Sequence, residues 1–77
     1  MTDKIIVNPE ILGGKPIIKG TRIAVEFILG LLASNVSEEE ILKDYPHLTK
    51  EDLHACLEYA ARSFKNEIYV DLEPTAA

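Results

Sequence analysis

Apolar and polar positions along the chain follow two periods. Near the N-terminus, Lys4-Ile5-Ile6-Val7 is a short β-branched run, and Pro16-Ile17-Ile18-Lys19-Gly20-Thr21-Arg22 is a second extended run. Asn8-Pro9 and Gly13-Gly14 punctuate the stretch between them, so residues 4–22 are predicted to form a β-hairpin. From Ala24 the period changes. Helix one is predicted over residues 24–34, with a narrow polar stripe of Glu26, Gly30 and Ser34. Val25, Phe27, Ile28, Leu29, Leu31 and Leu32 nearly encircle it, and a helix apolar on most sides must be buried on most sides. A chain this small cannot cover them all. A homodimer is therefore expected, with Phe27, Ile28, Leu31 and Leu32 as candidate interface residues.

Two further helices announce their own starts. Ser37 reads as an N-cap with Glu40 as the N3 residue of a capping box, and Val36 and Ile41 form the flanking hydrophobic staple. This second helix is predicted over 38–45, where Pro46 stops it. Helix three, over 50–64, repeats the device with Thr49 as N-cap, Asp52 at N3, and Leu48 stapled to Leu53. Its predicted inner stripe is Leu53, Cys56, Leu57, Ala60, Ala61 and Phe64. Asn66 reads as the residue just beyond this helix. Beyond it, Glu67-Ile68-Tyr69-Val70-Asp71-Leu72 alternates as a strand would, and Pro74 closes it. A lone strand needs a sheet to join. The expected partition is a helix-turn-helix domain over 1–65 and a strand or tail over 66–77.

The expected fold is thus mainly α: a three-helix helix-turn-helix of the homeodomain or winged-helix kind, with a short N-terminal β-hairpin and a C-terminal strand. In such motifs the start of the second helix of the pair points at DNA base edges. Here that start carries Glu51 and Asp52, two negative charges aimed at a polyanion. Carboxylates in a helix's first turn are favoured by its macrodipole, by about 0.3–1 kcal/mol each, so neither they nor Glu38–Glu40 require a functional cause.

Charge sharpens the picture. The 77 residues carry a net charge of −5, which argues against general nucleic-acid affinity. The distribution is uneven. Residues 1–22 hold Lys4, Lys15, Lys19 and Arg22 against Asp3 and Glu10, whereas residues 23–77 hold four bases against eleven acids. Phosphate contacts are therefore expected from Lys15, Lys19 and Arg22. Lys50 and His54 are the only donors near the start of helix three. The single cysteine excludes an internal disulfide, and no Cys/His cluster suggests zinc. The N-terminal apolar run is too short for a signal peptide, and Ile23–Ala33 is too short to cross a bilayer, which takes about 20 residues. A cytoplasmic protein with no membrane association is expected.

No catalytic constellation emerges. His47 and His54 lie in different elements, Cys56 sits on the inner stripe without a basic neighbour, and no acids are paired by spacing. Gly13–Thr21 lacks the spacing of a phosphate-binding loop. The chain is read as a non-enzyme without a cofactor or metal.

The ordered set Gly14, Pro16, Ile18, Gly20, Thr21, Arg22, Ile23, then Ser37, Glu40, Ile41, Leu42, Tyr45, Pro46, Thr49 and Asp52 resembles the prokaryotic domain-of-unknown-function family 433, from residue 5 to about 62. Ala24 departs from it, since family members often have proline there. The resemblance implies a dimeric helix-turn-helix protein, often encoded beside a PIN-like nuclease and taken to be an antitoxin of the VapB-like kind. On that reading the protein binds its own operator DNA. It would neutralise the nuclease through its C-terminal segment, with Ile68, Tyr69, Val70, Asp71 and Leu72 as candidate partner-binding residues. The alternative is a protein–protein adaptor that binds no DNA, which the acidic helix start would suit.

Overall fold

The computed structural model describes residues 3–64. The elements run β1 (Ile5–Val7), β2 (Pro16–Ile18), α1 (Val25–Ala33), α2 (Glu38–Asp44) and α3 (Lys50–Ser63), with a single 3-10 turn, Leu12–Gly14, between the strands. Three helices and a two-stranded antiparallel hairpin therefore make a mainly helical fold. The expected strand over 67–72 and the cap at Asn66 lie outside the described residues.

In the hairpin Ile5 faces Ile18, Ile6 faces Ile17 and Val7 faces Pro16. Lys19 N–H donates to Lys4 C=O at 2.7 Å, and Ile18 N–H turns outward to Ile23 C=O at 3.0 Å. Bonded and non-bonded pairs alternate in an antiparallel ladder. Val7–Pro16 is then a non-bonded pair, and the nitrogen that proline cannot offer is one the ladder does not use. The 21–24 segment closes the outer side of β2, through that same bond and an Ile17–Ala24 bridge.

The connection between the strands is tight and strained. Leu12, Gly13 and Gly14 all have positive φ, at 50°, 66° and 88°. Glycine takes this region freely, but a leucine there costs roughly 1–2 kcal/mol.

α1 ends in a motif that the sequence reading did not foresee. Asn35 has φ 71°, Asn35 N–H donates to Leu32 C=O, and Val36 N–H donates to Leu31 C=O, both at 3.0 Å. This is the Schellman arrangement, with asparagine taking the left-handed position usually given to glycine. Val36 and Leu31 both pack against the core, as that motif favours. An asparagine just past an apolar helix was the available signal.

At α2, Ser37 Oγ accepts from Glu40 N–H at 3.1 Å, which is one half of the expected box. At α3 both halves form, between Thr49 and Asp52. The staple residues Ile41, Leu48 and Leu53 are buried and join Ile18, Val25, Ile28 and Cys56 in one core between the hairpin and the helices.

The inner stripe of α3 differs from the expectation. Leu53 and Cys56 are fully buried and Ala60 is half-buried, but Leu57 is 41% exposed, Phe64 is 56% exposed, and Ala61 is also exposed. Ala55 is buried instead, and Tyr59 is half-buried against the core. The apolar arc of α3 is wider than the surface available to cover it. The hairpin and α1 take the Ala55–Cys56–Tyr59 side, which leaves the Leu57–Ala61 side facing outward.

Candidate functional site

Two surface grooves gather the charged residues singled out in the sequence. The first, of about 460 Å³, lies against the starts of α2 and α3 and is lined by Lys4, Glu38, Lys50, Glu51, His54, Ala55 and Glu58. The two capped helix starts bring these side chains together. Asp52 is not part of the lining. Its Oδ2 accepts from Thr49 N–H at 3.0 Å, and its Oδ1 lies 3.5 Å from Lys4 Nζ. Glu58 is held 3.7 Å from Arg62 one turn further on. Lys50 and His54, the two donors expected to face nucleic acid, thus share their groove with three glutamates. A phosphate approaching them meets more negative than positive charge from the groove's own helices.

The second groove, of about 410 Å³, is lined by Leu12, Lys15, Arg22, Ile23, Ala24, Glu26 and Phe27. It sits between the strained hairpin turn and the start of α1. Lys15 Nζ donates to Glu26 Oε2 at 2.7 Å. Leu12 and Phe27 are 45% and 42% exposed, so the rim is apolar and open to solvent. Lys15 and Arg22 share this groove; Lys19, exposed at the hairpin's other end, lines neither one. The five cationic candidates are therefore distributed over separate surfaces.

The four candidate interface residues of α1 also separate. Ile28 is wholly inside the subunit's own core, and Leu31 and Leu32 are half-buried against it. Phe27 stands at the surface, edge-on to Tyr45 with ring centroids 5.9 Å apart. Ile68, Tyr69, Val70, Asp71 and Leu72 lie outside the described residues.

Cys56 is enclosed, and burial, followed by the negative charge of Asp52, pushes its thiol up to about 11. A thiol so hard to ionise is a poor nucleophile. His47 and His54 are both exposed, on the turn and on α3. Among the described residues no three His, Cys, Asp or Glu side chains stand close enough to share a metal ion, and no helix is long and apolar enough to cross a membrane.

These features define a small, mainly helical domain with an N-terminal hairpin and capped helices around one core. The profile of the family described as "Protein of unknown function (DUF433)" matches residues 5–60, and the chain belongs to that family. It is similar to the uncharacterized protein y4eO of Sinorhizobium fredii, with 36% identity over 53 residues, covering 69% of this chain and 24% of that protein. It is also similar to the crystal structure of a DUF433 member protein from Anabaena variabilis, with a TM-score of 0.78 and 31% identity, covering 83% of this chain and 63% of that one. The chain therefore spans about a quarter of the length of the curated relative it matches, and under two thirds of the crystallised chain.

Proposed function

We propose that the chain is an antitoxin-type helix-turn-helix protein that acts by protein contact, holding a PIN-like nuclease inactive, and that it does not read DNA sequence through α3. The observation that carries this choice is the first groove. The two donors on the would-be recognition helix, Lys50 and His54, are ringed by Glu38, Glu51 and Glu58. A base reader needs its helix start to approach a polyanion. An acid-rich start instead suits a partner with a basic surface, and a nuclease that grips RNA must have one. The resemblance to antitoxins of the VapB-like kind supplies the class of partner. It is an argument by analogy, since one fold hosts many functions.

On this reading the acidic C-terminal segment, with Glu67, Asp71 and Glu73 among Ile68, Val70 and Leu72, lies beside the nuclease's basic groove and competes with RNA. Co-expression with the product of the adjacent nuclease-like gene, followed by purification and an RNA-cleavage assay, tests it. The expected result is a stable complex with cleavage suppressed, and loss of suppression when residues 66–77 are deleted. A titration with promoter DNA at low salt is expected to show at most weak, sequence-independent binding. Tight operator binding lost in the double variant Lys50→Ala, His54→Ala would overturn the choice in favour of a DNA reader.

A further inference from the structure

The second groove has three properties that its own subunit leaves unresolved. Leu12 is held at a φ of 50° with its side chain nearly half in solvent. The strain of roughly 1–2 kcal/mol is therefore not offset by burial within the subunit. Across the groove Phe27 exposes an aromatic edge. Between them stand two unmatched charges. Arg22 has no hydrogen bond or ion pair from its guanidinium among the described residues, and Glu26 uses only Oε2, on Lys15, which leaves Oε1 open.

An unpaired cation and an unpaired carboxylate oxygen in one groove are complementary to the same groove on another copy. Across a two-fold axis, residue i meets j of the partner and j meets i, so one such pair implies two. We infer that a second copy of this chain seats on this groove, with Arg22 of each protomer on Glu26 Oε1 of the other and Leu12 and Phe27 covered between them. Glu26 then bridges Lys15 within the subunit and Arg22 across the axis, and a planar guanidinium suits a carboxylate in that role. The apolar rim supplies the contact area, and the paired charges fix the orientation. The small size of the domain favours the same outcome, since its own core is close to the minimum for independent stability. Another protein with one sign of charge would satisfy Arg22 or Glu26 but leave the other unmatched. The inference deepens the reading of a self-associating antitoxin. It is tested without nuclease or DNA, so its failure is distinguishable from failure of the proposed function.

The experiment is sedimentation velocity on the full chain across about 1–100 µM, a range that brackets micromolar association, with circular dichroism on every variant to verify folding. The wild-type chain is expected to dimerise. Arg22→Glu and Glu26→Arg are each expected to weaken association by at least about tenfold, and the double exchange Arg22→Glu, Glu26→Arg to return most of it, because the swapped charges again face each other. Arg22→Gln, which adds no repulsion, serves if either reversal fails to fold, and is expected to weaken association by a smaller factor. A wild-type monomer at the highest concentration would overturn the inference. So would a dimer that the single exchanges leave intact, or single losses that the double exchange does not restore.

Discussion

Thr49 and Asp52 exchange two hydrogen bonds at the start of α3: Asp52 N–H donates to Thr49 Oγ1 at 3.1 Å, and Thr49 N–H donates to Asp52 Oδ2 at 3.0 Å. Two backbone donors that a helix start leaves orphaned are thereby satisfied. Thr49→Ala is expected to cost about 1 kcal/mol, and a loss of that size lowers the melting temperature of a domain this small by roughly 4–8 °C. Thr49→Ser should retain most of it. A thermal melt followed by circular dichroism reads both. An unchanged midpoint for Thr49→Ala would mean that packing of Leu48 and Leu53 alone fixes where α3 begins.

Neighbouring residues on α1 should behave oppositely. Ile28 is fully enclosed, whereas Phe27 is largely at the surface. Ile28→Ala is expected to cost about 2–5 kcal/mol, enough to unfold a marginal domain at room temperature. Phe27→Ala should leave the helical spectrum in place and act mainly on self-association. Urea titrations of both variants at low protein concentration separate these effects.

The strained turn offers a gain in stability. Asparagine tolerates positive φ better than leucine does. Leu12→Asn is therefore expected to raise the stability of the isolated subunit by up to about 1 kcal/mol. The same change removes an apolar side chain from the groove rim, so it should weaken dimerisation. A melt at low concentration and sedimentation at high concentration measure the two arms, and a variant that loses stability while keeping its dimer would contradict the role given to Leu12.

Cys56 gives an alkaline signature. Its thiol is raised from 9.0 to about 11 in the folded chain, through burial first and Asp52 second. The native state holds the proton more tightly than the unfolded state, so this contribution to stability is complete below about pH 9 and is lost as pH rises toward 11. Denaturation midpoints of wild type and Cys56→Ala, measured from pH 7 to about pH 11, isolate it from other titrating groups. The wild type should fall more steeply above about pH 9, where unfolded thiols ionise.

The helix starts were legible because they are written locally. Ser37 with Glu40, and Thr49 with Asp52, are signals within four residues, and both caps form. The hairpin was legible for the same reason: two β-branched runs flank proline and glycine punctuation. Burial was less legible, because it depends on what lies opposite. Leu57 and Ala55 are both apolar and both fit helical spacing, and only the placement of α1 and the hairpin decides that Ala55 is covered and Leu57 is not. The charged grooves were legible as a list of residues, not as a grouping. Lys15 and Lys19 are close in sequence, yet Lys15 reaches Glu26 while Lys19 stands at the far end of the hairpin. The electrostatic surroundings of Lys50 depend on Glu38, twelve positions away in another helix, and no local pattern reports that.

The outward-facing side of α3 sets up a gradient along a single helix. Its last fully buried side chain is Cys56; beyond it Tyr59 and Ala60 are half-covered and Ala61, Arg62 and Ser63 face solvent. Amide protons of the first two turns can exchange with solvent only when the whole domain opens, whereas those of the last turn need only a local fraying. One helix then carries two clocks. The slow one reports global unfolding, and the fast one would slow only when something, a second copy or a partner, settles over Leu57 and Ala61.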